Sequence, residues 1–263
     1  MRNRPSSRQP RRPHQRPSKK ISDRAVIGLH AVREAIKVSD VSTIWLRGGW
    51  KDSHELKQLE ELARSKKIKI EDHALGELNK IADSHQGVVA FVSSSPEWDW
   101  NSLKKEDCER LVFLDGVEDP HNLGAVMRTA WLLGVKAVFI PDIRATGLSP
   151  AASKVAQGAI EHVPLISNSL VDSLEEAKQH GFWIFGLSHR ASKSIYELQL
   201  PEKVAWVLGS EASGIRKPVE RTCDELVSIP QLQSDASFNV SVAAAIALAE
   251  TFRQHQASEN PGK

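Results

Sequence analysis

Apolar residues recur at helical spacing from Val26 to Ile36 (VIGLHAVREAI), and the β-branched run Ser42 to Leu46 (STIWL) predicts a strand behind that helix. Ser53 to Arg64 carries Leu56, Leu59 and Leu62 on one helical face; Ile68 to Ile70 reads as a second short strand and Ala74 to Ile81 as a short helix. After the turn residues Ser84-His85-Gln86-Gly87, the unbroken run Val88 to Val92 predicts a buried strand. Helices and short strands alternating in this way form a small α/β unit over residues 21–94. Ser93 to Asp107 breaks the pattern with Pro96, mixed charges and two exposed-looking tryptophans, Trp98 and Trp100, so 95–107 reads as a linker.

From Leu111 the rhythm becomes βαβ. Leu111 to Leu114 predicts a strand, Ala125 to Leu133 a helix closed by Gly134, and Lys136 to Ile140 a strand ended by Pro141. The cassette returns with the helix Leu174 to His180, closed by Gly181, and the strand Phe182 to Phe185. Val204 to Leu208 and Leu226 to Ile229 are further strands, and Val240 to Arg253 is a long Ala-rich helix. Apolar runs without alternation mean strands covered on both faces, hence a parallel sheet between helices over 108–255, with 256–263 as a tail. Ligands of such sheets gather in loops at the strand carboxyl ends.

Charge adds a possible partner. The chain of 263 residues has a formal net charge of +2, but residues 1–20 hold eight Lys/Arg and no Asp/Glu. Residues 21–94 balance, with eleven of each sign, while 95–263 carry 16 basic against 22 acidic side chains. Four prolines and no aliphatic residue after Met1 make 1–20 a disordered basic arm, read either as an attractor of polyanions or as a solubilising tail. Cys108 and Cys223 are too far apart in sequence for a metal clip or a disulfide framework, which points to a reducing compartment. The longest apolar run, Val242 to Ala249, is far too short to span a membrane.

Three loops follow buried strands and concentrate Gly, carboxylate, amide and hydroxyl groups: Asp115 to Gly124, Gly209 to Ile215 and Pro230 to Asn239. For any one alone, ordinary turn chemistry suffices. Common cofactor signatures fail. Gly209 to Gly214 lacks the Lys-Ser/Thr of a phosphate loop, no G-x-G-x-x-G follows a strand, G-x-S-x-G is absent, and no histidine pairing suggests a metal.

The three loops together resemble the SpoU/TrmH group of S-adenosylmethionine-dependent RNA ribose 2′-O-methyltransferases in the SPOUT superfamily. Asn122-Leu123-Gly124-Ala125-Val126-Met127-Arg128 resembles its first motif, Leu208 to Gly214 the second, and Ile229-Pro230 with Ser237 to Ala243 the third. His85-Gln86-Gly87 closes what resembles the ribosomal-protein-L30e-like substrate-binding domain of bacterial 23S rRNA guanosine 2′-O-methyltransferases. The resemblance implies a parallel-sheet SPOUT domain with a C-terminal trefoil knot behind that L30e-like domain. It also implies a cytoplasmic homodimer with active sites built from both chains, and an RNA substrate, 23S rRNA or a ribosomal precursor, with no metal and no membrane.

By the same resemblance Arg128 is the central catalytic residue, and Asn122 and Glu211 hold Arg128 or the nucleotide in place. Ser237 and Asn239 bond at the ribose or the loop, with Asn239 also able to cap the last helix. The cofactor site forms near Leu187, Gly209, Ile229 and Phe238. A guanidinium has an ordinary pKa above about 12, so positioning of phosphate and hydroxyl is the favoured role for Arg128 over proton abstraction. The chain departs from the family where Gln231-Leu232-Gln233 replaces Met-x-Gly, Ala212 a glycine, Phe238 a leucine and Gln157 a small residue; Asp235 lies in the same altered loop. Two alternatives stay open: a tRNA ribose 2′-O-methyltransferase, and a non-catalytic RNA-binding or ribosome-assembly factor of the same fold.

Overall fold

The computed structural model describes residues 24–93, 95–103, 109–141, 149–233 and 236–259. The basic arm 1–20, Cys108, Asp235 and the last four residues of the tail lie outside them. Two sheets organise the chain. The first has strand order β1-β4-β2-β3, from β1 (Arg24–Ile27), β2 (Val41–Arg47), β3 (Lys69–His73) and β4 (Val88–Val92). β2 and β3 are parallel and the other pairings antiparallel. Helices α1 (Leu29–Val38) and α2 (His54–Ser65) cover one face with Ala31, Val32, Leu56 and Leu59, while α3 (Leu75–Asn79) places Leu78 on the other.

The second sheet is parallel throughout, in the order β10-β8-β9-β5-β6-β7. Its strands are β5 (Glu109–Asp115), β6 (Ala137–Pro141), β7 (Leu165–Asn168), β8 (Trp183–Leu187), β9 (Lys203–Gly209) and β10 (Glu225–Val227). Along β5, Val112 and Leu114 enter one core while Leu111 and Phe113 enter the other, so both faces are dry. This explains the lack of polar alternation in the sequence. Helices α4 (Pro120–Leu132), α5 (Pro150–Ala156) and α8 (Val240–Glu259) cover the first face, and α6 (Leu170–Gln179) and α7 (Lys217–Thr222) the second.

Several sequence expectations need correction. Val26 and Ile27 belong to β1, because Gly28, with φ of 90°, turns the chain before α1 begins. Helix α4 begins at Pro120, with Asp119 accepting from His121 N, so half of the expected first loop is helical. Trp98 and Trp100 are half-buried rather than exposed. Trp100 stacks on Phe139 and on His180 with ring centroids 5.6 and 5.1 Å apart, which fastens the linker to the sheet. Helices α5 and α7 and strand β7, of 7, 6 and 4 residues, are too short to show a period in the sequence.

The two sheets are joined by a buried polar contact. Arg24 donates from Nη2 to Glu161 Oε2 at 2.8 Å, and Ser39 Oγ donates to the same oxygen at 2.7 Å. Beside them His162 Nε2 meets Glu34 at 3.1 Å and its ring stacks on Trp131. Burial alone would raise the Glu34 carboxyl, but its bonds to Lys37 and His162 outweigh that effect and hold it below the usual range. The Glu161 side chain is 1% exposed, so Glu161→Ala leaves the Arg24 guanidinium buried and unpaired. We expect a loss of about 3–5 kcal/mol in urea unfolding, most of it recovered when Arg24→Met is added.

Candidate active site

The first two motif loops are set by the carboxyl ends of β5 and β9, which are adjacent strands; the third follows β10 and leads into α8. Asp115, buried at the end of β5, accepts from Arg216 N at 2.7 Å and from Arg216 Nε at 2.6 Å, which ties the second loop down. Within that loop Ser210 and Gly214 exchange backbone bonds of 3.2 and 2.9 Å. Gly209 has no room for a side chain, because a Cβ would stand 2.0 Å from the carbonyl carbon of Gly214. Gly124 is similar: a Cβ there would meet Ala152 O at 2.7 Å, so this motif glycine serves the packing of α4 on α5.

The three motifs converge on one side-chain cluster. Asn239 donates from Nδ2 to Glu211 Oε1 at 2.7 Å and to Asn122 Oδ1 at 2.9 Å, and Asn122 donates to Glu211 Oε1 at 3.2 Å. Asn239 Oδ1 meanwhile accepts from Ser241 N and Ser241 Oγ, so its carboxamide is oriented by capping α8. Every bonding position of that amide is used, and a carboxylate is held by two carboxamides at the open end of the sheet.

On one side of this cluster lies a cavity of about 240 Å³. Leu187, Gly209, Ile229 and Phe238 all line it, with Glu211 and Ser237, and Glu220, His189 and Arg190 add charge and polarity to its wall. Ser237 makes no side-chain hydrogen bond among the described residues. On the other side a second cavity of about 700 Å³ is lined by Asp115, Glu118, Asp119 and Asn122, and it shares Ser210 to Ser213 and Val240 with the first.

Arg128 stands apart from both. Its position, six residues after Asn122 on α4, is about 120° round the helix and about 9 Å along it. It is exposed, lines neither cavity, and makes no hydrogen bond or ion pair among the described residues. Asn122 and Glu211 therefore hold each other and Asn239 within this chain rather than Arg128. Asp115 and Arg216 are the supports that sequence reasoning missed; the signal was an acidic residue directly after the apolar run Leu111 to Leu114. Gln231 bonds from Nε2 to Gln233 O at 2.7 Å and to Ala236 O, so its amide braces the altered third loop. Gln157 adopts φ of 49° as the left-handed cap of α5, followed by Gly158 at 92°.

A parallel α/β layer with two cavities sharing a polar wall at its strand ends is the architecture of a ligand-binding α/β domain. Residues 109–249 match the family model described as the SpoU rRNA methylase family, and residues 25–98 match the one described as RNA 2′-O ribose methyltransferase substrate binding. The chain belongs to the SpoU rRNA methylase family. It is 37% identical over 245 residues to the 23S rRNA (guanosine-2′-O-)-methyltransferase RlmB of Neisseria meningitidis, spanning 89% of this chain and 96% of the relative. To the protein of the same name from Pseudomonas aeruginosa it is 39% identical over 238 residues, spanning 87% and 96%. The solved structure of the SpoU methyltransferase AviRb from Streptomyces viridochromogenes in complex with AdoMet superposes with a TM-score of 0.78 at 22% identity, over 89% of this chain and 91% of the other.

Proposed function

We propose that the protein transfers a methyl group from S-adenosylmethionine to a ribose 2′-OH of structured RNA, at a guanosine of 23S rRNA. The observation that carries this reading is Glu211, which lines both cavities and is held by Asn122, on the wall of the second, and by Asn239 behind it; this supports a donor site beside an acceptor site. The names of the Neisseria and Pseudomonas relatives support 23S rRNA and guanosine.

The smaller cavity suits the donor: Leu187, Ile229 and Phe238 give an apolar wall, Glu211 and Glu220 face a cation, and Arg190 can meet a carboxylate. When bound, S-adenosylmethionine supplies the electrophilic methyl group. Glu211, fixed by its two carboxamides, aligns the ribose hydroxyl and is the group of the cluster able to take its proton. Ser237 lines the donor cavity and offers its hydroxyl at the edge facing the ribose or to the loop itself. Holding both reactants in line supplies much of the acceleration.

A second copy of the chain completes the site. Arg128 and Leu132 lie one turn apart on the same face of α4, and Leu132 is 67% exposed. Phe238 and Val242 near the start of α8 are also exposed, and α8 packs on α4. Covering this apolar surface with a second copy carries Arg128 to the partner's acceptor cavity. The knotted threading belongs to the same reading, supported by the convergence of segments 187–190 and 208–215 with Ile229, Gln231, Ser237 and Phe238 on one cavity. No helix among the described residues is long and apolar enough to cross a membrane, and a cytoplasmic setting follows from the substrate.

The test supplies labelled S-adenosylmethionine with 23S rRNA and bulk tRNA and maps 2′-O-methyl sites. The expected product is one methylated guanosine in 23S rRNA. Methylation of tRNA alone would replace the substrate, and no cofactor binding by calorimetry would overturn the enzyme reading.

A further inference from the structure

The loop His85-Gln86-Gly87 takes no part in the catalytic chemistry, yet each of its residues is committed to a structural task. His85 is 4% exposed; its Nδ1 accepts from Gly87 N at 2.8 Å, which leaves the proton on Nε2 to bond Asn79 Oδ1 at 2.9 Å. Burial, and then the nearby Arg47, lower the pKa of this imidazole, in keeping with an Nδ1 that accepts. Gln86 takes a left-handed φ of 55° and accepts from Leu29 N at the start of α1. Gly87, at φ of 84°, accepts from Arg47 N at 2.9 Å.

The Arg47 side chain lies across Gly87. A Cβ there would stand 2.8 Å from Arg47 Cδ and 3.0 Å from Nε, so glycine is what lets the arginine lie down. The guanidinium so placed meets nothing: among the described residues it makes no hydrogen bond or ion pair, whereas Arg24 is bonded to Glu161 and Lys69 to Glu71. Four residues on, exposed Lys51 holds its ammonium 5.8 Å from the ring centre of Trp50. That indole is itself buried and donates to Asp72 at 2.8 Å. One strand-to-helix connection therefore presents two cations on fixed seats, with no carboxylate paired to either.

We propose that Arg47, assisted by Lys51, holds the phosphate backbone of the RNA substrate, and that His85-Gln86-Gly87 is the seat that fixes Arg47 for it. The planar guanidinium fork matches phosphate oxygens, and a side chain already held loses little freedom on binding. Arg47 is half-buried and Lys51 exposed, and neither lines either cavity, as suits a polymer backbone rather than an enclosed free nucleotide. This inference rests on the reading of the chain as an RNA methyltransferase.

The test measures retention of a 23S rRNA transcript by the full-length protein across a range of KCl. Arg47→Ala should weaken binding about five- to tenfold and reduce the slope of log K against log[salt] by about 0.7–0.9; adding Lys51→Ala should roughly double that reduction. Arg47→Lys should keep the slope while losing part of the affinity. Gly87→Ala retains every charge and should reproduce the slope loss of Arg47→Ala, with cofactor titration unchanged in both. Wild-type slope and affinity in Arg47→Ala would overturn the assignment, as would an affinity loss at unaltered slope; a wild-type slope in Gly87→Ala would overturn the seat. Methylation by the wild type is scored in the same preparation, so a protein that binds RNA without methylating it contradicts the enzyme reading and leaves the Arg47 result to stand alone.

Discussion

Arg128→Ala is expected to lower the rate of ribose methylation by about 10²–10³ while cofactor affinity changes less than about twofold. Arg128 lines neither cavity and bonds to no described residue, so nothing in the donor site depends on it. On the proposed reading its whole contribution falls on the aligned RNA, either at the 2′-OH or at the neighbouring phosphate. Mixing experiments sharpen the point. If Arg128 serves the partner's site, dimers formed from Arg128→Ala and Asn239→Ala chains contain one intact site, and an equal mixture should regain roughly a quarter of wild-type activity. Cofactor calorimetry on Arg128→Ala decides the assignment: a tenfold or greater loss of affinity would place the residue in the donor site.

The three loops were legible from their composition behind buried strands, and Asn122, Glu211 and Asn239 within them through the resemblance to the family's short local motifs; the folded chain brings the three loops together. Asn122, Glu211 and Asn239 are separated by up to 117 residues and still bond directly. The parallel sheet was legible for a similar reason, since strands buried on both faces write unbroken apolar runs such as Leu111 to Leu114. The joint between the sheets was not. Arg24 and Glu161 stand 137 residues apart, belong to no motif, and look like any surface charge until the fold buries them. Strand β1 was hidden because Ile27 stays in helical phase with Ala31, and the turn at Gly28 separates them. The tryptophans of the linker were misread because a mixed-charge segment hides the apolar seat that Phe139 and His180 provide.

Gly209→Ala should cost the catalytic sheet more than about 4 kcal/mol or prevent its folding, and should abolish cofactor binding. The methyl group would stand 2.0 Å from Gly214 C, 2.2 Å from Ile215 N and 2.3 Å from Gly214 O, all of them backbone atoms. Those atoms have nowhere to go: Ser210 and Gly214 bond each other on both sides, and Arg216 N is held by buried Asp115. Gly214→Ala is the informative control. Its Cβ would meet nothing within 4 Å, and only its φ of 66° opposes a side chain, so about 1–2 kcal/mol is expected with the cavity intact. Urea unfolding and cofactor titration on the pair separate contact from conformation. Equal, small losses in the two variants would mean that the second loop can yield at Gly209. The expected wide gap would show that the motif's first glycine is there for backbone crowding, with the ligand cavity as its consequence.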